Sequence, residues 1–246
     1  MFDVQRHGDG TATVTIDRAD KLNAMNVEFF EQLPLMLRAL DEDPEVRACV
    51  LTGAGRAFSA GGDIDSFNAL TNVDAYRRHL RMVFDSFHAV ERAETIVIAA
   101  VNGIAYGGGT ELTLACDMAV ASEHARFAFK EATMGLMPGF GVLRAPAQVG
   151  PAWARRLATT GETIDADTAY RIGLVQELIP HDALVEHALT LARKIASHPP
   201  VAVRSAKHNI NQGITAPGLA GAVEATALLF TTDGHKQRVD AFLERT

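Results

Sequence analysis

Two short apolar runs set the tightest limit on how this chain can fold: VRACVLT at 46–52 and TIVIAAV at 95–101. Neither alternates apolar with polar residues, so a strand built from either must be covered on both faces. Helices must supply that cover, which points to an α/β core of alternating strands and helices. The chain is long enough for this, since 246 residues can bury one large core, or one core with an appendage. Hydrophobic residues at 48% and charged residues at 22% fit a globular protein and exclude a disordered one.

The flanking pattern fills in the rest. Residues 2–7 and 11–17 alternate around His7-Gly8-Asp9-Gly10 and read as a β-hairpin. Asn26 can cap a helix running to about Leu40, in which Pro34 should make a kink or push the start later. A loop follows at 53–63, then a long amphipathic helix at 73–92 and a helical stretch at 110–116. Further strands are expected at 117–121, 126–129 and 174–179, with helix dominating beyond 142. No low-complexity linker divides the chain. The expectation is a core over 1–181 and a helical C-terminal region over 182–246 that supports self-association. Leu219, Val223, Ala227 and Phe230 form an apolar stripe there, which packing within the core would explain equally well.

Charge and cysteine content narrow the class. A net charge of −7 argues against a surface built for nucleic acid or an anionic membrane. It leaves room for a local basic patch facing an anionic cofactor. The two cysteines, Cys49 and Cys116, lie inside apolar runs and read as buried reduced thiols. The start Met-Phe-Asp-Val shows neither a basic leader nor a long apolar stretch, so the expectation is a cytoplasmic protein without a membrane span. The nine histidines form no dense ligand cluster, and no metal site is expected.

Three segments carry possible chemistry. Phe58-Ser59-Ala60-Gly61-Gly62-Asp63 follows the first buried run, and Asn102 through Leu112, with Gly107-Gly108-Gly109-Thr110-Glu111, follows the second. The third is Phe129-Lys130-Glu131 through Met137-Pro138-Gly139. Glycine loops at the ends of neighbouring strands can aim backbone N–H groups at one ligand, and those opening a helix favour negative charge. Such groups suit a developing oxyanion. Taken singly, each loop reads first as a tight turn. Glu111, in the first turn of its helix, is either a partner for the helix dipole or an acid–base group. Glu131 is either a solvated carboxylate or its counterpart. Gly53-Ala54-Gly55 lacks the third glycine of a dinucleotide fingerprint, and Ala57-Phe58-Ser59-Ala60-Gly61 lacks the first glycine of a nucleophile elbow.

Taken together, in this order and spacing, the three segments resemble the enoyl-CoA hydratase/isomerase (crotonase) family. The likeness runs from Lys21-Leu22-Asn23-Ala24 to Pro200 and Lys207, and includes Cys116-Asp117. It implies a ββα spiral core with a helical C-terminal region, and homotrimers or dimers of trimers. It also implies an oxyanion hole of the Gly62 and Gly108 N–H groups, a catalytic pair in Glu111 and Glu131, and a Gly139 backbone that helps hold water. Lys21, Leu22, Asn23, Ala24, Ala60, Asp63 and Ile64 match the region receiving the CoA arm, though Lys21 is equally a solvated lysine. The implied reaction is a lyase step, hydration of a 2-enoyl-CoA to a 3-hydroxyacyl-CoA, with no cofactor beyond the CoA of the substrate. Double-bond isomerisation or another acyl-CoA reaction is the alternative. The family also includes an RNA-binding member, which the acidic balance argues against.

The chain departs from the family at two places. Lys130 stands where hydratases commonly carry proline, and 139–144 lacks the usual Gly-Gly-Thr-Gln run and is one residue shorter. Met137 and Phe140 are therefore expected to reshape the acyl pocket.

Overall fold

A computed structural model describes residues 1–214, 223, 227 and 230–244. The hairpin forms from β1 (Phe2–Arg6) and β2 (Thr11–Ile16), and α1 follows at Val27–Asp41. β3 (Ala48–Gly53), β4 (Ala57–Ser59), α2 (Ile64–Asn68) and α3 (Val73–Arg92) form the next unit. Then come β5 (Ile96–Val101), β6 (Ile104–Tyr106) and α4 (Gly108–Ala115). β7 (Met118–Ser122) and β8 (Arg126–Ala128) lead to a 3-10 turn at Glu131–Met134 and α5 (Gly141–Thr160). β9 (Ile164–Asp165), α6 (Ala166–Arg171) and β10 (Glu177–Ile179) close the core. α7 (Leu184–Ala196), α8 (Pro200–Ile214) and α9 (Asp233–Leu243) are the described C-terminal helices.

Two sheets result. One runs β1-β2-β3-β5-β7-β10 and is parallel except where β1 meets β2, and the other runs β4-β6-β8-β9. After the opening hairpin, the units that begin at β3, β5 and β7 each give their first strand to the large sheet and their second to the small one, which is the spiral. Both faces of the large sheet are buried, as the apolar runs require. Cys49, Leu51, Val97 and Ala99 belong to the main core, while Val50, Ile96, Ile98 and Ala100 pack under Leu184, Ala188 and Ala192 of α7. None of the described helices is long and apolar enough to cross a membrane.

Three expectations need correction. Helix α1 starts at Val27 under the Asn26 cap, so Pro34 does not delay it. Phe29, Phe30 and Leu33 before the proline, with Leu37 and Leu40 after, bury both halves and offset the lost hydrogen bond. The segment 53–63, read as a loop, contains β4, and β10 is shorter than 174–179. The small-sheet strands are two or three residues long, too short for any periodicity to show. In the apolar stripe, Val223, Ala227 and Phe230 are buried in the chain's own core; Leu219 lies outside the described residues.

Candidate active site

The ends of β3 and β5 are laced together by Asn102. Its amide donates to Gly53 O and Gly55 O, both at 2.9 Å, and its oxygen accepts from Gly53 N at 3.2 Å. A second lacing comes from Asn23, fully buried, which donates to Ala54 O and Ala57 O at 2.9 and 2.7 Å. The segment 22–25 then runs beside 60–63, with Ala60 N on Leu22 O, Met25 N on Gly61 O and Asp63 N on Met25 O. Leu22 and Asn23 adopt positive φ, 52° and 57°, to make this turn. Arg18 binds Asp63 and Ala24 O, fixing the start of α2.

This scaffold sets Gly62 beside the first turn of α4. A Cβ on Gly108 would lie 3.6 Å from Gly62 N and 2.8 Å from the Met25 methyl, so a side chain there would displace the tip of Met25 and crowd the Gly62 N–H. Among the described residues, neither Gly62 N nor Gly108 N donates a hydrogen bond to the backbone. Two unsatisfied N–H groups therefore flank one spot in a cavity of about 180 Å³, the arrangement an oxyanion requires.

Both glutamates reach the same cavity. Glu111 is 6% exposed, and its Oε1 accepts from Gly141 N at 2.8 Å, with Phe140 N a second backbone donor. Those N–H groups open α5, so the carboxylate sits at a helix N-terminus. Burial pushes Glu111 up to about 7, with the backbone bonds opposing. Glu131 begins the 3-10 turn, and its Oε2 is sealed from solvent without a partner. Burial first, and the Glu111 charge second, raise Glu131 well above the carboxylate range. Each carboxyl therefore holds its proton more tightly than an exposed one, and the N–H donors favour charge on Glu111 over Glu131.

The expected site residues divide. Gly62, Gly108, Glu111, Glu131, Gly139, Ala60, Ile64 and Met137 all line the cavity. Leu22, Asn23, Ala24 and Asp63 stand behind it, with the Asn23 and Asp63 side chains engaged by protein groups, and Lys21 is exposed. Phe140 is wholly buried, packed edge-on to Phe87 at 5.3 Å, so it shapes the cavity from behind Phe84 and Phe87. Sequence reasoning missed the acyl wall: Phe30, Phe67, Leu80, Phe84 and Phe87, with Phe230 and His235 from the C-terminal region. Leu80, Phe84 and Phe87 lie on the helix read as amphipathic at 73–92, and an amphipathic pattern does not tell core from cavity. The C-terminal region thus completes the cavity wall. Cys49 is buried, which pushes its thiol up to about 12, and both cysteines are free.

Residues 6–246 match the family described as Enoyl-CoA hydratase/isomerase. The chain is 38% identical to the short-chain-enoyl-CoA hydratase of Clostridium acetobutylicum, covering 95% of this chain and 91% of that protein. It is 37% identical to the crotonyl-CoA hydratase of Syntrophomonas wolfei, covering 95% and 92%. A crystal structure of an enoyl-CoA hydratase/isomerase from Mycobacterium paratuberculosis superposes with a TM-score of 0.90 at 32% identity, covering 98% of this chain and 97% of that one.

Proposed function

The chain belongs to the enoyl-CoA hydratase/isomerase family, and we propose that it is a lyase adding water across a 2-enoyl-CoA to give a 3-hydroxyacyl-CoA. The observation that carries this reading is the pairing of two buried carboxyls, one held by backbone N–H donors and one with an unpartnered oxygen, beside two unsatisfied N–H groups in one cavity. Isomerisation needs one group that removes and returns a proton. Hydration needs a water as well, and two carboxyls can share it.

The thioester oxygen accepts hydrogen bonds from Gly62 N and Gly108 N, which strengthen as enolate charge builds on it. Water lies between the carboxyls and near Gly139. Glu111 takes its proton as the oxygen bonds to carbon 3, and the double-bond electrons move onto the thioester. Glu131 then delivers its proton to carbon 2, which restores the thioester carbonyl. One water is consumed, and the Glu111 proton passes back to Glu131 before the next turnover. This is acid–base chemistry throughout, so it calls for no cofactor beyond the CoA that the substrate carries.

The CoA arm runs along Lys21, Leu22 and Ala24 and past Ala60 and Ile64, and the exposed Lys21 offers a cation to phosphate. Assembly is as a homotrimer or dimer of trimers, a reading supported by the family likeness and by exposed Val201 and Ile210 on α8. Light scattering tests it, and a monomer at micromolar concentration overturns it. The working compartment is the cytoplasm, in keeping with two unpaired cysteines.

The activity is tested by offering a 2-enoyl-CoA in ¹⁸O-labelled water and a 3-enoyl-CoA in parallel. Label at carbon 3 of a hydroxyacyl product is expected. Rapid isomerisation with no labelled hydroxyacyl product would overturn hydration and leave the fold and the N–H pair standing.

A further inference from the structure

Lys130 borders the cavity and takes no part in the chemistry above, yet its ammonium is turned to protein groups. Its ammonium donates to Gly161 O at 2.8 Å and to Thr163 Oγ1 at 2.9 Å, and lies 5.4 Å from the Tyr106 ring centroid. Its carbonyl accepts from Thr133 N at 3.0 Å and Thr133 Oγ1 at 2.7 Å. One residue therefore joins three segments: the turn that carries Glu131, the turn that ends α5 at Gly161, and the strand leading into Gly107 and Gly108.

The carboxyl of Glu131 needs such support. Its Oε2 has no hydrogen-bond partner, so nothing at that atom orients the side chain. Orientation must come from the backbone that bears it, a four-residue 3-10 turn with weak internal bonding. The Gly107 backbone presses close, since a Cβ there would lie 2.8 Å from Glu131 Oε1, so a small shift of the turn would move the carboxyl off the cavity.

We propose that Lys130 is a positioning residue whose ammonium clips the Glu131 turn to the 161–163 turn and to Tyr106, holding Glu131 against the oxyanion loop. A charged donor makes stronger hydrogen bonds than a neutral one, and arginine can reach the same two acceptors. A turn released from the clip admits water to Glu131, and hydration favours its ionised form.

The kinetic part of the test rests on the hydratase reading. In hydration of 2-butenoyl-CoA, Lys130→Met should lower kcat about tenfold, with KM within about twofold of wild type, as expected when a group is displaced from the transition state but not from the binding site. The alkaline limb of the kcat–pH profile should move to lower pH, and Lys130→Arg should recover most of the rate. Wild-type kcat and pH profile in Lys130→Met would overturn the proposal. So would an arginine variant no better than the methionine one, or a loss that follows KM or thermal stability alone. If the wild-type protein hydrates no 2-enoyl-CoA, the functional reading fails instead. The clip is then judged by infrared titration of the Glu131 carboxyl, with Glu131→Gln as the blank. A midpoint lower in Lys130→Met supports it, and an unchanged midpoint overturns it.

Discussion

The protein buries two kinds of charged cluster and treats them in opposite ways. From α8, the Lys207 ammonium reaches Asp117 at 2.8 Å and the carbonyls of Val90 and Thr95 at 3.1 Å each, while Asp117 also accepts from Val97 N. Between α3 and α5, Glu91 accepts from Nε and Nη2 along one edge of the Arg144 guanidinium and bonds His88 Nδ1. Burial works against Glu91, but bonds from His88 and Arg144 outweigh it and hold its carboxyl below the usual range. In the cavity the pattern reverses. Glu111 and Glu131 face each other with no cation bridged to either among the described residues, and one oxygen has no partner at all. Spent hydrogen-bonding capacity marks a cluster that holds the fold, and unspent capacity marks one waiting for a ligand.

That contrast breaks most visibly if the cavity pair is neutralised. Glu111→Gln and Glu131→Gln should each lower kcat on the order of 10²–10⁴-fold, the span typical of removing a general acid or base. Their effects should not add in the double variant, because they share one water. Circular dichroism should find each variant folded. A full additive loss would separate the two carboxyls and sink the shared-water reading.

The converse change is expected in the satisfied cluster. Asp117→Ala leaves the Lys207 ammonium buried with only two carbonyls, and should cost about 3–5 kcal/mol of stability. The fraction that stays folded should keep its kcat. Urea titration reads the first and stopped-time assays the second. A stable Asp117→Ala protein with a depressed kcat would mean that the two clusters are not separate in role.

Between these lies the oxyanion spot. Gly108→Val sets bulk against the Met25 methyl and Gly62 N, and should lower kcat about a hundredfold, near 2.7 kcal/mol, as loss of one such donor does. A folded variant with near-normal kcat would remove Gly108 from the mechanism.

How far the sequence told these regions apart depends on what each signal records. The runs at 46–52 and 95–101 announced a sheet covered on both sides, because burial on both faces leaves no polar positions. Gly62, Gly108, Glu111 and Glu131 were named through the family resemblance, and the fold brings all four to one cavity; their residue types alone left tight turns and solvated carboxylates open. The Lys207–Asp117 and Arg144–Glu91 pairs were not, because pairing across 90 and 53 positions leaves no local trace. The acyl wall was hidden for another reason. A phenylalanine facing a cavity and one facing the core satisfy the same pattern, and only coordinates separate Phe84 from Phe140. Asn23 shows a structural task that the match to the CoA arm did not reveal: its amide donates to Ala54 O and Ala57 O.

The smallest effect expected is also the one that most directly weighs an unsatisfied pair against the fold. Burial raises Glu111 from an ordinary carboxylate value of 4.5 to about 7 in the folded protein. A raised folded-state value means that the native protein holds the proton more tightly than the unfolded chain between those pH values. Stability from this group is therefore fully present below about 4.5 and is lost as pH climbs through about 7. Glu111→Gln removes the charge that causes the loss while keeping the shape and the oxygen that accepts from Gly141 N. The margin by which the variant exceeds wild type in thermal stability should be small at pH 5 and larger at pH 8. The same substitution that abolishes turnover should thus strengthen the fold, the trade expected where function needs a carboxylate that packing alone would not keep. Differential scanning calorimetry at the two pH values reads it. Equal or lower stability of Glu111→Gln at pH 8 would mean that the Gly141 and Phe140 N–H groups fully offset the burial of its charge, and the contrast between the clusters would then rest on Glu131 alone.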